Sequence, residues 1–323
     1  VQRDDAPPVA ILTDAAAVDR VVARAAAAFD GWRAASGGHR RAVVGRIADQ
    51  MRADRFETIA VMADETGKTA HEGDPEVSEA IDFAEYYRGP GIDLLESLRG
   101  DGADVTGRGV VSVVGPWNFP YAIPAGGVLA ALCAGNAVVL KPAPEAIRVA
   151  AAFVEQVHRA GVPAGLVELA VCEDGPVGRH LVTHPDVDTV VLTGSADTAA
   201  MFLSWNPRLR LFAETSGKNA IVITAAADVD LAITDLVSSA FGHAGQKCSA
   251  ASLAIVEASL YDSPHFLRRL RDAVASLRVG WPHDIETMVG PLITPPAEPL
   301  TRALTTLDPR ETWLVEPRPL DVE

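Results

Sequence analysis

The first hundred residues carry apolar side chains at helical spacing. Within residues 39–62, several apolar positions recur at i, i+3, i+4 and i+7 and so fall on one face of a helix: Val44, Ile47, Ala48 and Met51. Residues 14–35 and 75–98 follow similar patterns, and the second stretch is interrupted near Gly89-Pro90-Gly91. The N-terminal part is therefore predicted to consist of amphipathic helices.

From residue 110 onward, short apolar runs alternate with helical stretches. Strands are predicted at residues 110–114, 137–140, 167–171, 189–192 and 209–213, with helices at 121–133, 145–160, around 177 and at 196–205. Apolar strands separated by helices are typical of a parallel sheet that is covered on both faces. Further strands at 220–223 and 253–256 and helices at 230–241 and 261–277 follow. We expect an α/β protein with a parallel-sheet domain in residues 1–213 and a further α/β domain in residues 214–323.

Charge and hydropathy narrow the possible partners. The chain has 43 acidic and 28 basic residues, a formal net charge of −15, which argues against nucleic acid or an anionic membrane surface as the main partner. Residues 110–140 carry no charge and are long enough to span a membrane. However, Pro116, Pro120 and Pro124 divide that stretch, so a buried strand, loop, helix and strand are predicted there instead.

The three cysteines, Cys133, Cys172 and Cys248, are far apart and lack the spacing of metal ligands. Neither a disulfide framework nor a metal site is expected. A cytoplasmic location is expected instead. No signal peptide opens the chain, Val1 is not an initiator methionine, and the proline-rich tail 291–319 shows no regular pattern. Both ends are therefore expected to have been cut from a longer chain.

Polar residues follow several of the predicted parallel strands. Asn118 comes after the first strand, Lys141 after the second, Gly194-Ser195 after the fourth and Glu214 after the fifth. Ligands of open parallel sheets bind outside the carboxyl ends of the strands, so these residues are expected at one edge of one sheet. Gly194-Ser195 opens a helix whose free N–H groups suit a pyrophosphate, although an ordinary capping serine has the same appearance.

A reactive cysteine is predicted in the loop Gly245-Gln246-Lys247-Cys248-Ser249. Nearby positive charge and backbone amides lower the pKa of a thiol, and the thiolate is the nucleophile. Cys133, in a predicted helix, and Cys172, at a strand end, are interpreted as inert core residues.

Five motifs together resemble the aldehyde dehydrogenase superfamily. They are residues 116–120 (Pro-Trp-Asn-Phe-Pro), 141–142 (Lys-Pro), 193–195 (Thr-Gly-Ser), 214–219 (Glu-Thr-Ser-Gly-Lys-Asn) and 245–249 (Gly-Gln-Lys-Cys-Ser). The likeness extends from the helical beginning to residues 289–293 and implies a Rossmann-type cofactor domain followed by a catalytic domain.

The resemblance implies a role for each of these residues. Cys248 would attack the aldehyde carbon, the Asn118 amide and the Cys248 backbone N–H would hold the oxyanion, and Glu214 would activate water to hydrolyse the thioester. The residues implied in cofactor binding are Pro116, Trp117, Lys141, Gly194, Ser195 and Thr215. The implied cofactor is NAD, with NADP left open because Pro144 precedes Glu145 where the family often places an acidic residue for the adenosine ribose.

Two further departures from the family pattern concern completeness. Ser216 stands where the family usually has the first of two glycines, and the later Glu-x-Phe-Gly-Pro motif is absent from residues 249–323. The resemblance therefore implies an incomplete catalytic domain, and we expect residues 1–323 alone to be inactive. The family also implies a homo-oligomer.

Among aldehyde dehydrogenases, the loop residues and Ser216-Gly217-Lys218-Asn219 look most like L-glutamate γ-semialdehyde dehydrogenases, including those fused to proline dehydrogenase. This likeness implies that Ser249 donates to the substrate carboxylate, although a plain loop serine is the simpler interpretation. Three alternatives stay open: a CoA-acylating aldehyde dehydrogenase, a glutamyl phosphate reductase, and an inactive protein that keeps the fold. The presence of Glu214 argues against the first two.

Overall fold

The computed structural model describes residues 9–319. The chain divides into two compact units, and the division does not follow the sequence strictly. The first unit contains Val1–Thr66 and Gly73–Ser216, and the second contains Gly67–Glu72 and Gly217–Glu323. The six residues Gly67–Glu72, which the sequence analysis placed in the first domain, thus pack with the second unit.

The N-terminal part forms five α-helices: α1 (Ala15–Arg33), α2 (Gly37–Ala53), α3 (Arg55–Thr66), α4 (Ala70–Tyr86) and α5 (Ile92–Gly100). Asp14 and Ser36 cap α1 and α2, because their side chains accept the N–H groups of Ala17 and His39. The single helix predicted across residues 39–62 is wrong, since the chain breaks between α2 and α3 at Asp54. Asp54 is the C-cap of α2, and its carboxylate pairs with Arg159.

The predicted interruption near Gly89-Pro90-Gly91 is confirmed as a π-helix over Tyr87–Gly91. Pro90 has no backbone N–H and cannot complete the ordinary i to i−4 hydrogen bond. The backbone widens by one residue per turn and resumes as α5 at Ile92.

Five parallel strands form the sheet of the first unit: β1 (Val110–Val114), β2 (Ala137–Lys141), β3 (Val167–Leu169), β4 (Val187–Gly194) and β5 (Leu211–Thr215). Their spatial order is β3-β2-β1-β4-β5, and every neighbouring pair is parallel. The predicted α/β class with a parallel sheet is confirmed. Strand β5 begins and ends two residues later than predicted, which puts Glu214 inside the strand opposite Thr193.

The helices that follow these strands are α6 (Ala122–Cys133), α7 (Ile147–Arg159), α8 (Pro176–Val182) and α9 (Ala196–Trp205). Strands β1 and β2 are buried along their whole length, because helices cover both faces of the sheet there. The uncharged stretch 110–140 is thus divided among β1, α6 and β2. Within residues 9–319, no helix has the length and apolar composition required to cross a membrane.

The second unit has a smaller core around two parallel strands, β6 (Asn219–Ile223) and β7 (Ala251–Val256). Its helices are α10 (Val229–Phe241), α11 (Ala258–Tyr261), α12 (Pro264–Ala275) and α13 (Glu298–Thr305). The single helix predicted over residues 261–277 is wrong at its start, because Ser263 and Pro264 open a new helix there. The tail predicted to be irregular contains α13, whose apolar residues Leu300 and Leu304 lie one turn apart.

Candidate active site

The carboxyl edge of the five-stranded sheet collects the polar residues that the sequence analysis singled out. Asn118 follows β1, Lys141 ends β2, Gly194 ends β4 and Glu214 is the penultimate residue of β5. All five strands are parallel, so these positions share one edge. The order in which successive strands are added to the sheet reverses between the central strands β1 and β4. Open α/β sheets bind ligands at such a point.

The turn after β1 brings the backbone into close contact with α6. A Cβ atom on Gly115 would lie 2.6 Å from Pro124 Cγ, so only glycine fits between the strand and the helix. Pro116, Trp117 and Asn118 are half-buried in this turn. The Asn118 side-chain oxygen accepts the N–H of Phe119 at 3.1 Å. With the oxygen held in this way, the amide NH₂ group is the end that can donate to a ligand.

Lys141 is buried at the end of β2, with only 3% of its side chain exposed. Its Nζ atom donates to Asp174 Oδ1 at 2.5 Å, and Asp174 itself is two-thirds exposed. A buried ammonium requires such a partner, because an unpaired charge in the protein interior is strongly unfavourable. The pair places a cation and an exposed carboxylate together at the carboxyl edge.

Gly194 and Ser195 form the beginning of α9. Ser195 is the N-cap of this helix, and its hydroxyl accepts the Thr198 N–H at 3.0 Å. The Ala196 N–H donates to the hydroxyl of Ser216 at 3.0 Å. The capping interpretation and the anion-binding interpretation of Ser195 are compatible, because a capped helix start still presents the positive end of its dipole.

Glu214 and Thr215 lie in the edge strand β5, paired with Thr193 and Gly194 of β4. Glu214 is exposed and Thr215 is half-buried. A carboxylate that solvent can reach can act as a general base toward water.

Cys248 lies in the second unit, in the loop between α10 and β7, and its side chain is exposed. Two residues of the glutamate motif hold this loop from the other strand. The Asn219 side-chain Nδ2 donates to Cys248 O at 2.6 Å and to Ala250 O at 3.2 Å. A Cβ on Gly217 would come within 3.2 Å of the same Cys248 oxygen. Ser249, the predicted substrate-binding residue, is exposed beside Cys248.

Gln246 fixes the loop on the side that precedes Cys248. Its side-chain Nε2 donates to the carbonyls of His243 at 3.1 Å and Pro291 at 3.4 Å, and its Oε1 accepts the Ile293 N–H at 3.0 Å. A single side chain thus joins the start of the loop to residues 291–293. The sequence analysis named Gln246 only as a polar neighbour of the cysteine.

The loop begins with a backbone conformation that ordinary residues avoid. His243 and Ala244 both have φ of 53°, in the left-handed region, and they are the only residues other than glycine with positive φ among residues 9–319. Such a conformation costs roughly 1–2 kcal/mol per residue, so neighbouring contacts must hold it. The Glu72 carboxylate makes such a contact, since its Oε1 accepts the His243 N–H at 2.6 Å.

The pKa of Glu72 reflects this contact. Burial raises it, but the hydrogen bonds from His243 and from the Thr69 N–H more than offset burial and bring the pKa to about 2. Glu72 Oε2 lies 3.6 Å from His243 Nδ1, and the two side chains are 17% and 3% exposed. Glu72 is therefore a carboxylate in the folded protein at all ordinary pH values.

The other cysteines are core residues, as predicted. Cys133 and Cys172 are both buried, and all three cysteines are free thiols. Burial raises the pKa of Cys133 to about 12 and raises that of Cys172 as well. Thiols in this state are poor nucleophiles, so the exposed Cys248 is the reactive candidate.

A cleft of about 430 Å³ opens elsewhere in the first unit, on the side of the sheet that α6 covers. Its lining is mostly apolar and includes Phe83, Tyr87 and Phe212. None of the predicted site residues lines it. This cleft is therefore separate from the residues that the sequence analysis singled out.

Asp19, His180 and His184 form a cluster with the composition of a metal site. Both His Nε2 atoms face Asp19 Oδ1, at 2.6 Å for His180 and 3.2 Å for His184. However, His184 Nδ1 accepts the Asp186 N–H at 3.1 Å, so the ring proton of a neutral His184 is on Nε2. That tautomer donates to Asp19 and cannot bind a metal through Nε2, so the cluster is a hydrogen-bonded contact between α1 and the end of α8 with the residues that follow it.

The sequence analysis missed Asp174, Glu72 and His243. Asp174 could have been found, because it follows β3 at the same sheet edge as the other candidates. Glu72 is the fourth residue of a Thr-x-x-Glu sequence, Thr69 to Glu72, which is typical of a helix capping box. That signal predicts the contact with Thr69 but not the one with His243, which is distant in sequence.

Comparison with known proteins identifies the class to which this geometry belongs. The model of the aldehyde dehydrogenase family matches residues 9–305, and the chain is a member of that family. Aldehyde dehydrogenases depend in general on a nicotinamide cofactor.

Two bacterial relatives of this chain are both named as 1-pyrroline-5-carboxylate dehydrogenases. The chain is 36% identical over 290 residues to the 1-pyrroline-5-carboxylate dehydrogenase of Bacillus licheniformis, which covers 85% of this chain and 56% of the relative. The 1-pyrroline-5-carboxylate dehydrogenase 2 of Bacillus subtilis gives the same identity and coverage. The chain thus spans little more than half the length of these curated relatives.

Among solved structures, proline utilization A (PutA) from Corynebacterium freiburgense superposes with a TM-score of 0.90 at 44% identity. The match covers 98% of this chain and 32% of that protein. An NADP-dependent enzyme of E. coli superposes with a TM-score of 0.79 at 28% identity, over 86% of this chain and 60% of that one. These likenesses confirm the predicted fold class.

Proposed function

We propose that this chain is the cofactor-binding part and the nucleophile-bearing part of an enzyme that oxidises L-glutamate γ-semialdehyde to L-glutamate. The observation that carries the proposal is the contrast among the three thiols. Cys248 is exposed in a loop held by Asn219 and Gln246, whereas Cys133 and Cys172 are buried. Only a solvent-accessible thiol on a fixed backbone suits nucleophilic attack.

The residues at the carboxyl edge fit a nicotinamide dinucleotide. Lys141 supplies a cation that can donate to ribose hydroxyls, and the start of α9 at Ser195 supplies the positive end of a helix dipole for a pyrophosphate. Pro116, Trp117, Gly194 and Thr215 would line the same edge. We propose NAD as the cofactor. When bound, NAD supplies the hydride acceptor.

Three residues would carry the chemistry. The Cys248 thiolate forms a bond to the aldehyde carbon, and the carbonyl electron pair moves to oxygen, where the Asn118 side-chain amide and the Cys248 backbone N–H stabilise the oxyanion. Loss of hydride leaves a thioester on Cys248. Glu214 then takes a proton from water, the resulting hydroxide attacks the thioester carbon, and the carboxylate product leaves as the thiolate returns.

The proposed substrate rests on the two Bacillus relatives and on the sequence of the loop. Both relatives are named as dehydrogenases of 1-pyrroline-5-carboxylate, which is in equilibrium with glutamate semialdehyde. Ser249, exposed next to Cys248, would donate to the substrate carboxylate. The PutA likeness supports a fusion of the whole protein to a proline dehydrogenase domain, and we propose a homo-oligomer.

NADH formation from pyrroline-5-carboxylate, by the whole gene product that contains residues 1–323, tests the proposal. We expect this substrate to exceed butanal in kcat/KM by at least ~10²-fold, because a site built to pair a carboxylate leaves polar groups unpaired with butanal. Equal kcat/KM for the two aldehydes would contradict the substrate. A rate that requires CoA would instead indicate an acylating enzyme.

A further inference from the structure

The segment Gly67–Glu72 belongs to the unit that carries Cys248, although its flanking helices belong mainly to the other unit. Gly67 has φ of +70°, and a Cβ there would lie 2.8 Å from Pro291 Cγ. His71 Nε2 lies 3.0 Å from Ile285 O, and Glu72 accepts the His243 N–H. Six residues from the N-terminal third thus contact both the nucleophile loop and the region after α12.

The two carboxylate oxygens of Glu72 accept hydrogen bonds from two different parts of the chain. Oε2 accepts the Thr69 N–H at 3.0 Å and so caps α4. Oε1 accepts the His243 N–H at 2.6 Å, which is a short, charge-assisted hydrogen bond. Capping α4 requires only the first of these contacts.

The hydrogen bond from the His243 N–H to Glu72 lies at the strained start of the loop that carries Cys248. His243 and Ala244 have left-handed backbones, and a donor held by a fixed acceptor favours that conformation over the relaxed one. The His243 carbonyl in turn accepts from Gln246, two residues before Cys248. A continuous chain of hydrogen bonds therefore runs from the Glu72 carboxylate to the backbone beside the thiol.

We propose that Glu72 is a positioning residue for the Cys248 nucleophile, holding the left-handed turn at His243 and Ala244 from which the loop starts. This proposal rests on the proposed function only in taking Cys248 as the nucleophile. Glu72 does not touch the reacting atoms. It acts through the backbone of residues 243–248.

Amide hydrogen exchange of the peptide covering residues 242–249 tests the proposal in the chain 1–323. Glu72→Ala removes the acceptor, so we expect exchange in this peptide to accelerate at least ~10-fold. Glu72→Gln keeps an oxygen for the His243 N–H and should restore most of the protection. Glu65→Ala is the matched control, because Glu65 is also half-buried and accepts two backbone N–H groups, those of Arg148 and Val149. It should leave the peptide unchanged.

In the active gene product, Glu72→Ala should lower kcat at least ~10-fold and change the KM for NAD less than twofold, with partial rescue by Glu72→Gln. Exchange within twofold of wild type in Glu72→Ala would overturn the proposal, as would equal acceleration in Glu65→Ala. If the wild-type protein oxidised no aldehyde, the proposed function would fail, and the exchange experiment would still decide the role of Glu72.

Discussion

The three cysteines differ mainly in the solvent access of their thiols. Cys248 is exposed, and burial raises the pKa of Cys133 to about 12 and that of Cys172 above its usual range. In the native chain at pH 7.5, iodoacetamide should therefore alkylate Cys248 at least ~10²-fold faster than either other cysteine. Peptide mass mapping after timed quenching measures this ratio.

Unfolding provides the control for that prediction. In urea all three thiols should react at similar rates, since the burial that protects two of them is lost. Cys248→Ser should remove the fast phase from the native protein and leave the slow reaction of the other two. Faster labelling of Cys133 or Cys172 in the native chain would show that the wrong thiol has been assigned.

At the residue scale, local chemistry was readable from sequence and long-range contacts were not. Cys248, Asn118, Lys141 and Glu214 stand next to predicted strand ends or in a distinctive loop, so one sheet rule collects most of them. Glu72 and His243 are separated by 171 residues, and no periodic pattern links them. Their contact depends on how the chain returns to Gly67–Glu72, which only the fold shows.

Two helix-associated carboxylates should respond to pH in opposite ways. Glu72 has a folded pKa of about 2 against an ordinary value of 4.5, so its stabilisation is present above pH 4.5 and is lost as the pH falls toward 2. Burial raises the pKa of Glu65, despite the N–H groups of Arg148 and Val149. Its contribution is therefore fully present below pH 4.5 and is lost as the pH rises through the folded pKa.

Urea unfolding of Glu72→Gln and Glu65→Gln between pH 2.5 and 7 measures both effects. Glu72→Gln should have a lower free energy of unfolding than wild type at neutral pH. This difference should shrink on acidification, because wild-type Glu72 loses its charge. The free energy of unfolding of wild type should fall relative to that of Glu65→Gln as the pH rises. A pH-independent difference for Glu72→Gln would mean that its charge does not stabilise the fold.

At the element scale, the sequence located nearly every strand and helix but not all of their boundaries. Strands β1 and β2 and helices α6 and α9 agree to within one residue, because continuous apolar runs mark the strands and α6, and Ser195 caps α9. The break at Asp54 was missed because the apolar stripe continues across it. Asp54 pairs there with Arg159, a distant partner that no local pattern reveals.

At the scale of the whole molecule, the second unit leaves one face of its small sheet open. Val222, Leu253 and Ile255 are 67%, 56% and 50% exposed on β6 and β7. Exposed apolar strands favour association between copies. We expect the chain 1–323 to self-associate at tens of micromolar, as measured by sedimentation velocity.

Substitutions on this face should weaken the association. Val222→Lys with Leu253→Lys should raise the dissociation constant at least ~10-fold, since two apolar side chains contribute roughly 1–2 kcal/mol each when buried. Phe56→Lys is the control, because Phe56 is 82% exposed on α3 in the first unit. A wild-type chain that stays monomeric at all concentrations would contradict this prediction.

The division of the molecule into units was only partly predictable. The change from helical periodicity to alternating strands and helices marks the parallel sheet, and the glutamate motif lies at the boundary near Ser216. The transfer of Gly67–Glu72 to the second unit was not predictable, because it depends on close approach of Gly67 to Pro291. In the sequence, the only sign of such a close approach is an isolated glycine.

The division of labour between Cys248 and Glu214 is the central claim, and a single-turnover experiment with Glu214→Gln in the active gene product tests it most directly. With NAD and pyrroline-5-carboxylate, the variant should form about one NADH per Cys248 and then stall, because acylation of the thiol needs no base for water and hydrolysis does. Mass spectrometry of the stalled enzyme should find the acyl group on Cys248. Absence of the burst, or an acyl group on another residue, would contradict the account.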